Sequence, residues 1–497
     1  MKRTYQTRID VTGAQGDHLE RYASLYGKCE RTLFAETIVQ SKAPESVKST
    51  YLRRFNITGR QFNAVCRLLK GKVKSIKELR KEHLAALKAK VKKLATTIKK
   101  LKKHAACKHY IDPKKRDRQA FSLHHKKRRL ARLQNKLERI QADHKAGTVS
   151  LCFGAKKLFK AQHNLKENGF ESHQAWLETW QGKRASEFFV LGSKDETAGC
   201  QGCVLALDAD GNASLRLRLP NSLITADTKY LHLAVDLNYG KSAILHALKH
   251  KTAINYRFKR DRKGWRVLIT VDAPVVELVT TPNLGAIGVD INADHLGVAE
   301  TDRFGNFVDV IRIPLNTYGK STEQAKAIIG NAIKQLFDFA KEKQKPVVIE
   351  KLDFAKKKAE LTVAAKDKQQ KRYARMLSSL AYNQIKSVIK ARGFDNGIEV
   401  KEVNPAYTSV IGFWKFASRY GISSHQAAAL VIARRALDFS EQPNHRDYNA
   451  SQLPAKDDCK HVWSYWRKVA RKPRKLAVLH SLRNKTQSLS MQKTAFV

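Results

Sequence analysis

Acidic side chains are scarce in this sequence of 497 residues. It has 45 Asp and Glu against 95 Lys and Arg, which gives a formal net charge of +50 at pH 7. This excess is larger than solubility alone requires, so it predicts a polyanionic partner. Hydrophobic residues make up 42% of the chain, which is enough to build cores. The length fits roughly three domains.

Long apolar runs are also missing. No uninterrupted apolar stretch approaches the ~18 residues that a membrane-spanning helix needs. The sequence starts MKRTYQTRID, which lacks the apolar segment of a signal peptide. We therefore expect no membrane partner and a cytoplasmic location, and nucleic acid is the leading polyanionic partner.

Cysteine is sparse and odd in number. The seven cysteines are scattered and do not form a disulfide framework, which fits a reducing compartment. They are Cys29, Cys66, Cys107, Cys152, Cys200, Cys203 and Cys459. The pair Cys200 and Cys203 has CxxC spacing but no second pair, so we expect two reduced thiols and no structural zinc.

Changes in periodicity divide the chain into five segments. The pattern predicts a strand in 1–18, helices in 19–148, an antiparallel β segment in 149–280, a mixed α/β segment in 281–440, and a basic tail in 441–497. The N-terminal strand lacks a nearby partner, so we expect it to complete the β segment. We expect the tail to be partly disordered without nucleic acid.

The helical segment contains a strongly basic hairpin. Apolar residues recur in steps of three and four from Leu84 to Leu101, and a second helix with the same spacing follows Asp112 and Pro113. The two helices predict an antiparallel hairpin. Its outer faces are basic, and we predict nucleic-acid contacts from Lys126, Lys127, Arg128 and Arg129. The alternative is a merely solvated helical face.

The mixed segment has the element order β-β-β-α-β-α-β-α, which is the order of the RNase H-like fold. Asp290 lies on the first strand and Glu350 ends the fourth. These strands are neighbours in such a sheet, so two carboxylates 60 residues apart can share a metal ion. Phosphodiester hydrolysis with Mg²⁺ needs hard oxygen ligands that converge from separate elements. The alternative is that both acids simply cap or solvate strand ends.

Four segments resemble the split RuvC motifs of the TnpB family, which comprises transposon-encoded RNA-guided nucleases related to type V CRISPR effectors. They are GAIGVDINADHLGVAETD (285–302), VVIEKLDF (347–354), EVNPAYTSVIG (402–412) and AAALVIARRAL (427–437). The resemblance implies a multidomain α/β protein with an RNase H-like (RuvC) nuclease domain, an antiparallel β wedge domain and an α-helical recognition domain. It implies guide RNA and target DNA as partners.

By motif match, Asp290 and Glu350 are the first two catalytic carboxylates, with Mg²⁺ as cofactor and Mn²⁺ as a possible substitute. The family usually has Asp at the start of the last helix, where this chain has His425. His425 is either the third metal ligand or a helix residue with ordinary hydrogen bonds. Asp447 is an alternative third ligand, and Asp294 is expected to be a turn residue.

The chain also lacks the zinc ribbon that relatives often carry before the final helix. We then expect the basic segment 356–375, which could cover the active site, to load the DNA strand. The alternative interpretation of this segment is a solvated loop. Its predicted nucleic-acid contacts are Lys356, Lys357, Arg372 and Arg375. We expect a monomer, and the sequence leaves a dimer open.

Three functions compete at this point. The first is a metal-dependent RNA-guided DNA endonuclease. The second is an RNA-guided DNA-binding protein whose nuclease site has decayed. The third is an RNase H-like transposase, which usually carries Asp after the fourth strand and Glu in the last helix. Glu350 and the absence of Glu from 424–437 argue against the third.

Overall fold

The computed structural model describes residues 2–106, 113–210, 212–274, 276–351, 382–442 and 461–471. The chain divides into two compact units, Met1–Val275 and Val276–Val497. Among the helices of the described residues, none is both long and apolar enough to cross a membrane.

The first unit contains seven helices among its described residues. They are α1 (Gly13–Phe34), α2 (Pro44–Phe55), α3 (Gly59–Ala106), α4 (Pro113–Lys145), α5 (Lys156–Ala161), α6 (His173–Arg184) and α7 (Lys241–Lys249). Helix α1 starts with a capping box between Thr12 and Gln15, because each side chain pairs with the other residue's backbone.

Helices α3 and α4 form the predicted hairpin. The seam of α3 is buried at Leu84, Leu87 and Ile98. Arg80, just before the apolar seam of α3, donates to the carbonyl oxygen of Asp143, near the end of α4, at 2.8 Å. The end of α4 therefore lies beside the start of the seam in α3, which confirms the antiparallel arrangement.

The first unit also holds two antiparallel sheets. Their strands are β1 (Lys2–Arg8), β2 (Glu187–Val190), β3 (Cys203–Leu207), β4 (Ala213–Arg218), β5 (Tyr230–Val235), β6 (Asn255–Asp261) and β7 (Gly264–Asp272). The orders are β1-β7-β6-β2 and β3-β4-β5. Strand β1 pairs with β7 from Lys2 opposite Asp272 to Arg8 opposite Arg266. The prediction that the N-terminal strand completes a β sheet is confirmed.

Helices and sheets of the first unit share one core. Phe188 on β2 stacks on Tyr22 of α1 with ring centroids 4.1 Å apart. On its other side Phe188 stacks on Phe258 of β6 at 4.7 Å. The boundary predicted between residues 148 and 149 therefore does not separate two cores, because α1 packs directly on the sheet.

The second unit is built on a five-stranded mixed sheet. Its strands are β8 (Ala286–Ile291), β9 (His295–Thr301), β10 (Phe307–Pro314), β11 (Val347–Glu350) and β12 (Val400–Val403). The order is β10-β9-β8-β11-β12. The first three strands form the predicted antiparallel meander, and β11 lies parallel to both β8 and β12.

Helices cover both faces of this sheet. The described helices of the unit include α8 (Thr322–Glu342), α9 (Tyr382–Asn396), α10 (Thr408–Ile411), α11 (Ser424–Ala436) and α12 (Val462–Val469). Short helical stretches at Gly412–Ala417 and Ser418–Tyr420 connect α10 to α11. Helices α8 and α9 pack on the face that carries Ile287, Val289 and Ile349. Helix α11 covers the opposite face through Ile432 and Ala433. Among the described residues the predicted order of the five strands and of α8, α9 and α11 is confirmed, whereas the helical segment Thr408–Tyr420 between β12 and α11 was not predicted.

Helix α12 lies in the segment predicted to be a partly disordered tail. Trp466 is buried, and its Nε1 donates to the carbonyl oxygen of Glu441 at 2.9 Å. The buried Glu441 carboxylate pairs with Arg434 of α11 and with Lys415. This helix is therefore packed onto the unit, whereas 443–460 and 472–497 lie outside the described residues.

Candidate active site

Two carboxylates stand at the ends of adjacent central strands. Strands β8 and β11 pair in parallel up to Val289 opposite Ile349. The next residue on each strand is Asp290 or Glu350. Side chains alternate between the faces of a sheet, and neighbouring strands are about 4.8 Å apart. The register therefore brings both carboxylates to one point, as the sequence predicts from neighbouring first and fourth strands.

Both carboxylates lie on the sheet face that α11 covers. Val348 and Ala286, which precede Glu350 and Asp290 at even spacing, pack against Ile432 and Ala433 of α11. Asp290 is only 8% exposed and Glu350 only 6%. A buried carboxylate is costly without hydrogen-bond donors or cations, so its partners decide its role.

Asp290 is held by two donors. Its Oδ2 accepts from Nδ2 of Asn292 at 3.0 Å and lies 2.9 Å from Nδ1 of His425. An ionised carboxylate only accepts hydrogen bonds, so Nδ1 carries the hydrogen in this contact. The structure thus brings His425 to Asp290 across 135 residues. The contact leaves Nε2 as the ring nitrogen available to another group.

Glu350 is held from the loop and helix that follow β12. Its Oε1 accepts from the hydroxyl of the buried Thr408 at the start of α10. The carbonyl oxygen of Glu350 accepts from the hydroxyl of Tyr382 at 3.0 Å. Sequence reasoning missed Thr408, although the residue lies in the segment EVNPAYTSVIG.

A partly buried cation, Arg435, stands near Glu350. Its guanidinium donates to the carbonyl oxygens of Asn404 and Ala406, so it also fixes the loop after β12. Burial lowers the pKa of Arg435, while the negative charges of Glu350 and Glu441 act in the opposite direction.

Two glycines let α11 approach the sheet closely enough for these contacts. A Cβ on Gly288 of β8 would collide with the carbonyl oxygen of Ala429. Gly297 of β9 lies opposite Asp290, and a Cβ there would stand 3.0 Å from the backbone carbon of His425. His425 therefore reaches Asp290 because the strand beside it presents no side chain at that point.

A second histidine lies next to His425. The rings of His295 and His425 meet edge to face with centroids 5.1 Å apart. Nδ1 of His295 lies 2.8 Å from Oδ1 of Asp294, whose Oδ2 accepts from Arg312 at 3.2 Å. Partial burial acts to raise the pKa of Asp294, but His295 and Arg312 together lower it. Asp294 lies between β8 and β9, which is the predicted turn position.

The donor set suits a hard divalent cation in part. Mg²⁺ is commonly held by one or two carboxylates together with substrate phosphates, and Asp290 and Glu350 provide that pair. Within the described ranges, however, no three His, Cys, Asp or Glu side chains are grouped so that they could hold a metal ion. The chemistry of the two carboxylates therefore fits Mg²⁺, whereas the role of His425 as third ligand stays a prediction.

The predicted nucleic-acid contacts have different outcomes. Lys127, Arg128 and Arg129 are exposed on α4. Lys126 is half-buried, and its ammonium group donates to Ser122 one turn earlier. The remaining predicted contacts and the alternative ligand lie outside the described residues; they are Lys356, Lys357, Arg372, Arg375 and Asp447. Binding by all of these residues stays a prediction.

Cys200 and Cys203 are buried free thiols at the start of β3. Burial raises the pKa of Cys200 to about 11, and it raises that of Cys203 well above the usual value. Burial therefore favours the protonated thiol at both positions.

No family model matches the chain, and no curated protein matches its sequence. Two solved structures align with it over most of their length. One is the cryo-EM structure of a Cas12f1-sgRNA-target DNA complex, with 11% identity, a TM-score of 0.24, and coverage of 88% of this chain and 100% of that chain. The other is a CRISPR-Cas12f ternary complex, with 12% identity, a TM-score of 0.22, and coverage of 87% and 98%. These scores are too low to support a shared fold or activity.

Proposed function

We propose that the protein is an RNA-guided DNA endonuclease whose second unit is an RNase H-like, RuvC-type nuclease domain. The observation that carries the proposal is the parallel register of β8 and β11, which sets Asp290 beside Glu350. The sheet order supports it, because the first strand lies between the second and the fourth. The net charge of +50 supports a guide RNA and target DNA as partners.

In this proposal Asp290 and Glu350 hold Mg²⁺, or Mn²⁺ in its place. A metal ion bound there supplies positive charge that activates water and stabilises the leaving oxygen of a phosphodiester. The protein's own part is to hold the two carboxylates still. Asn292 and His425 fix Asp290, and Thr408 fixes Glu350. His425 is proposed as the third residue of the site.

The helical part of the first unit is proposed as the recognition domain and its β part as the wedge domain. The exposed basic residues of α4 support contact with phosphates. A guide RNA would supply target choice by base pairing, since duplex RNA offers side chains little sequence information in its deep groove.

A second candidate function is a nuclease-inactive, RNA-guided DNA-binding protein. The observation that favours it is His425, because an imidazole replaces a third carboxylate and its Nδ1 is already bound to Asp290. The transposase alternative is disfavoured, since α11 contains no acidic residue.

The test starts with sequencing of nucleic acid that copurifies with the protein, which identifies the guide. Cleavage of guide-matched DNA is then measured with Glu350→Gln and Asp290→Asn. Each variant keeps the side-chain shape but removes the charge that holds the metal ion. We expect more than about 100-fold loss of cleavage, because changing the partners of metal ligands alone costs about 10–100-fold. Binding of RNA and target should stay nearly intact.

Matched controls are Glu342→Gln and Asp309→Asn, which remove the same charges at exposed positions of the same unit. They should cleave like the wild-type protein. Normal cleavage by Glu350→Gln or by Asp290→Asn would place the active site elsewhere. An inactive wild-type protein that still binds guided DNA would support the second candidate.

A further inference from the structure

The first unit contains a cationic cavity that the proposed function does not use. It has a volume of about 740 Å³ and lies among α1, α5 and α6. Its cationic side chains are Arg31, Lys156, Lys160 and Arg184. Among the described residues that line it, none is acidic. The volume is within the usual range for ligand sites, and the walls favour an anion.

Three hydrogen-bond donors on residues that line the cavity are buried without a partner. Nη1 of Arg31, Nε1 of Trp180 and Nε of Arg184 have no hydrogen-bond acceptor within the described part of the chain. Buried donors in folded proteins are nearly always paired, so unpaired donors in one cavity point to an absent acceptor. Burial lowers the pKa of both arginines, and the charge of Arg184 lowers that of Arg31 further. An anion between them would relieve this repulsion.

Aromatic rings form another wall of the cavity. The guanidinium carbon of Arg184 lies 3.8 Å from the ring centroid of Trp180. Phe159 lies 5.4 Å from Trp180 and is 39% exposed. Nucleobases stack on exposed aromatic rings of this kind, and here the ring of Phe159 lies beside a tryptophan on which an arginine guanidinium is stacked.

The backbone is shaped around these groups. Gly154 adopts a left-handed φ of +93°, and a Cβ there would stand 3.2 Å from Nε1 of Trp180. A Cβ on Gly27 of α1 would lie 2.6 Å from the carbonyl oxygen of Arg184. Glycine is therefore required where α1 and the loop before α5 meet the arginine and tryptophan.

We infer that this cavity binds one unpaired nucleotide of a single-stranded nucleic acid. The phosphate accepts from Arg31 and Arg184, and the base stacks against Phe159 beside Trp180. Lys156 and Lys160, exposed on α5, attract the flanking phosphates. The inference rests on the nucleic-acid-binding part of the proposed function and is independent of its nuclease chemistry.

The test measures binding of fluorescent oligouridine to the full chain after copurified nucleic acid has been removed. The double variant Arg31→Gln with Arg184→Gln should raise the Kd about tenfold, because it removes the phosphate donors. The matched control is Arg21→Gln with Lys183→Gln, which removes the same charge from exposed positions of the same two helices. It should raise the Kd less than about twofold when salt suppresses non-specific binding.

A second pair of variants leaves the buried donors in place. Phe159→Leu removes the stacking ring and should raise the Kd about fivefold or more, whereas Phe159→Tyr should bind like the wild type. Equal affinities of the two arginine double variants, or of Phe159→Leu and Phe159→Tyr, would overturn the inference.

Further probes identify the ligand. Single-stranded RNA and DNA of the same sequence should both depend on the arginine pair, and the tighter of the two identifies the strand. Uridine monophosphate should compete with oligouridine better than inorganic phosphate does. Equal competition by phosphate, or an equal loss of RNA duplex binding in the arginine variant, would overturn the nucleotide assignment. The oligouridine assay needs neither a metal ion nor cleavage, so this test and the cleavage test fail independently.

Discussion

At the scale of single residues, the contact between His425 and Asp290 decides how the candidate site works. Nδ1 of His425 donates to Oδ2 of Asp290, and that bond fixes the ring so that Nε2 points away from the carboxylate. Histidines that ligate metals commonly donate their other ring N–H in this way. The contact is therefore compatible with a ligand role and with a purely positioning role.

Substitutions of His425 separate the two roles. We expect His425→Ala to lose guided cleavage while it keeps RNA and DNA binding. His425→Asp should retain Mg²⁺-dependent cleavage, because it supplies a hard anionic ligand. His425→Asn keeps a donor near the position of Nδ1 but has nothing at the position of Nε2. Cleavage by the Asn variant with none by the Asp variant would show that His425 acts only by positioning Asp290.

The sequence predicts the carboxylates of the site but not what holds them. Asp290 and Glu350 are recognisable because each ends an apolar strand in a defined element order. Thr408 and His425 are 58 and 135 residues away from the carboxylates they contact. Such contacts depend on how α10 and α11 pack on the sheet, which no local pattern specifies. For the same reason the sequence does not predict the cavity between Arg31 and Arg184, since their helices meet only in the folded unit.

At the scale of elements, the position of α11 on the sheet depends on glycine, which has no side chain to hold the helix away from the strands. Gly288 lies between Val289 and Ile287 in a buried strand, where glycine is otherwise unfavourable. Glycine is needed at this position because a Cβ would collide with the backbone carbonyl oxygen of Ala429 in α11. The apolar run of β8 predicts a buried strand, but the sequence pattern alone does not show that a helix passes this closely over one face.

We expect Gly288→Ala to destabilise the protein by about 1–3 kcal/mol, because the added methyl group forces α11 away from β8. Cleavage should fall as well, since His425 and Asp290 lie at this contact. Thermal unfolding followed by circular dichroism measures the change. The control is Gly330→Ala in α8, where a Cβ meets nothing within 4 Å. That change should be neutral or stabilise by about 0.5–1 kcal/mol. Equal melting temperatures of the two variants would contradict the packing argument.

The order of the strands in the second unit follows from periodicity, whereas α5, α6 and α7 of the first unit lie in the segment 149–280 that is predicted to be antiparallel β. Periodicity also places α1 and the sheets in separate segments, because the pattern changes from helical to alternating. Tyr22 and Phe188 are 166 residues apart in sequence, yet their rings stack. The apolar face of α1 predicts that the helix is buried, and only the tertiary structure shows that its partner is a strand.

At the scale of the whole molecule, the net positive charge is the feature that most affects binding. The few acidic residues with described contacts are largely used inside the fold, as Glu441 is with Arg434 and Lys415, and Glu30 with Lys72. Cations on the surface are then left to interact with external anions. If nucleic acid is the partner, as proposed, a net charge of +50 also raises the association rate through long-range attraction.

We expect the affinity for the copurified RNA to fall steeply as salt increases. If about 6–10 phosphates are neutralised, the slope of log affinity against log salt is several units. Replacing Lys127, Arg128 and Arg129 on α4 by Gln should reduce the slope by about 2, because each lost phosphate contact removes about 0.7–0.9. Binding is measured by fluorescence polarisation across a potassium chloride series.

The control removes three exposed lysines from the second unit, Lys320, Lys334 and Lys341, and has the same effect on net charge. If α4 contacts the phosphates directly, the slope in this control stays close to the wild-type value, because counterion release depends on contacts and not on total charge. Equal slopes for the two triple variants would mean that the basic face of α4 is only solvated. An affinity that does not change with salt would contradict electrostatic binding of RNA altogether.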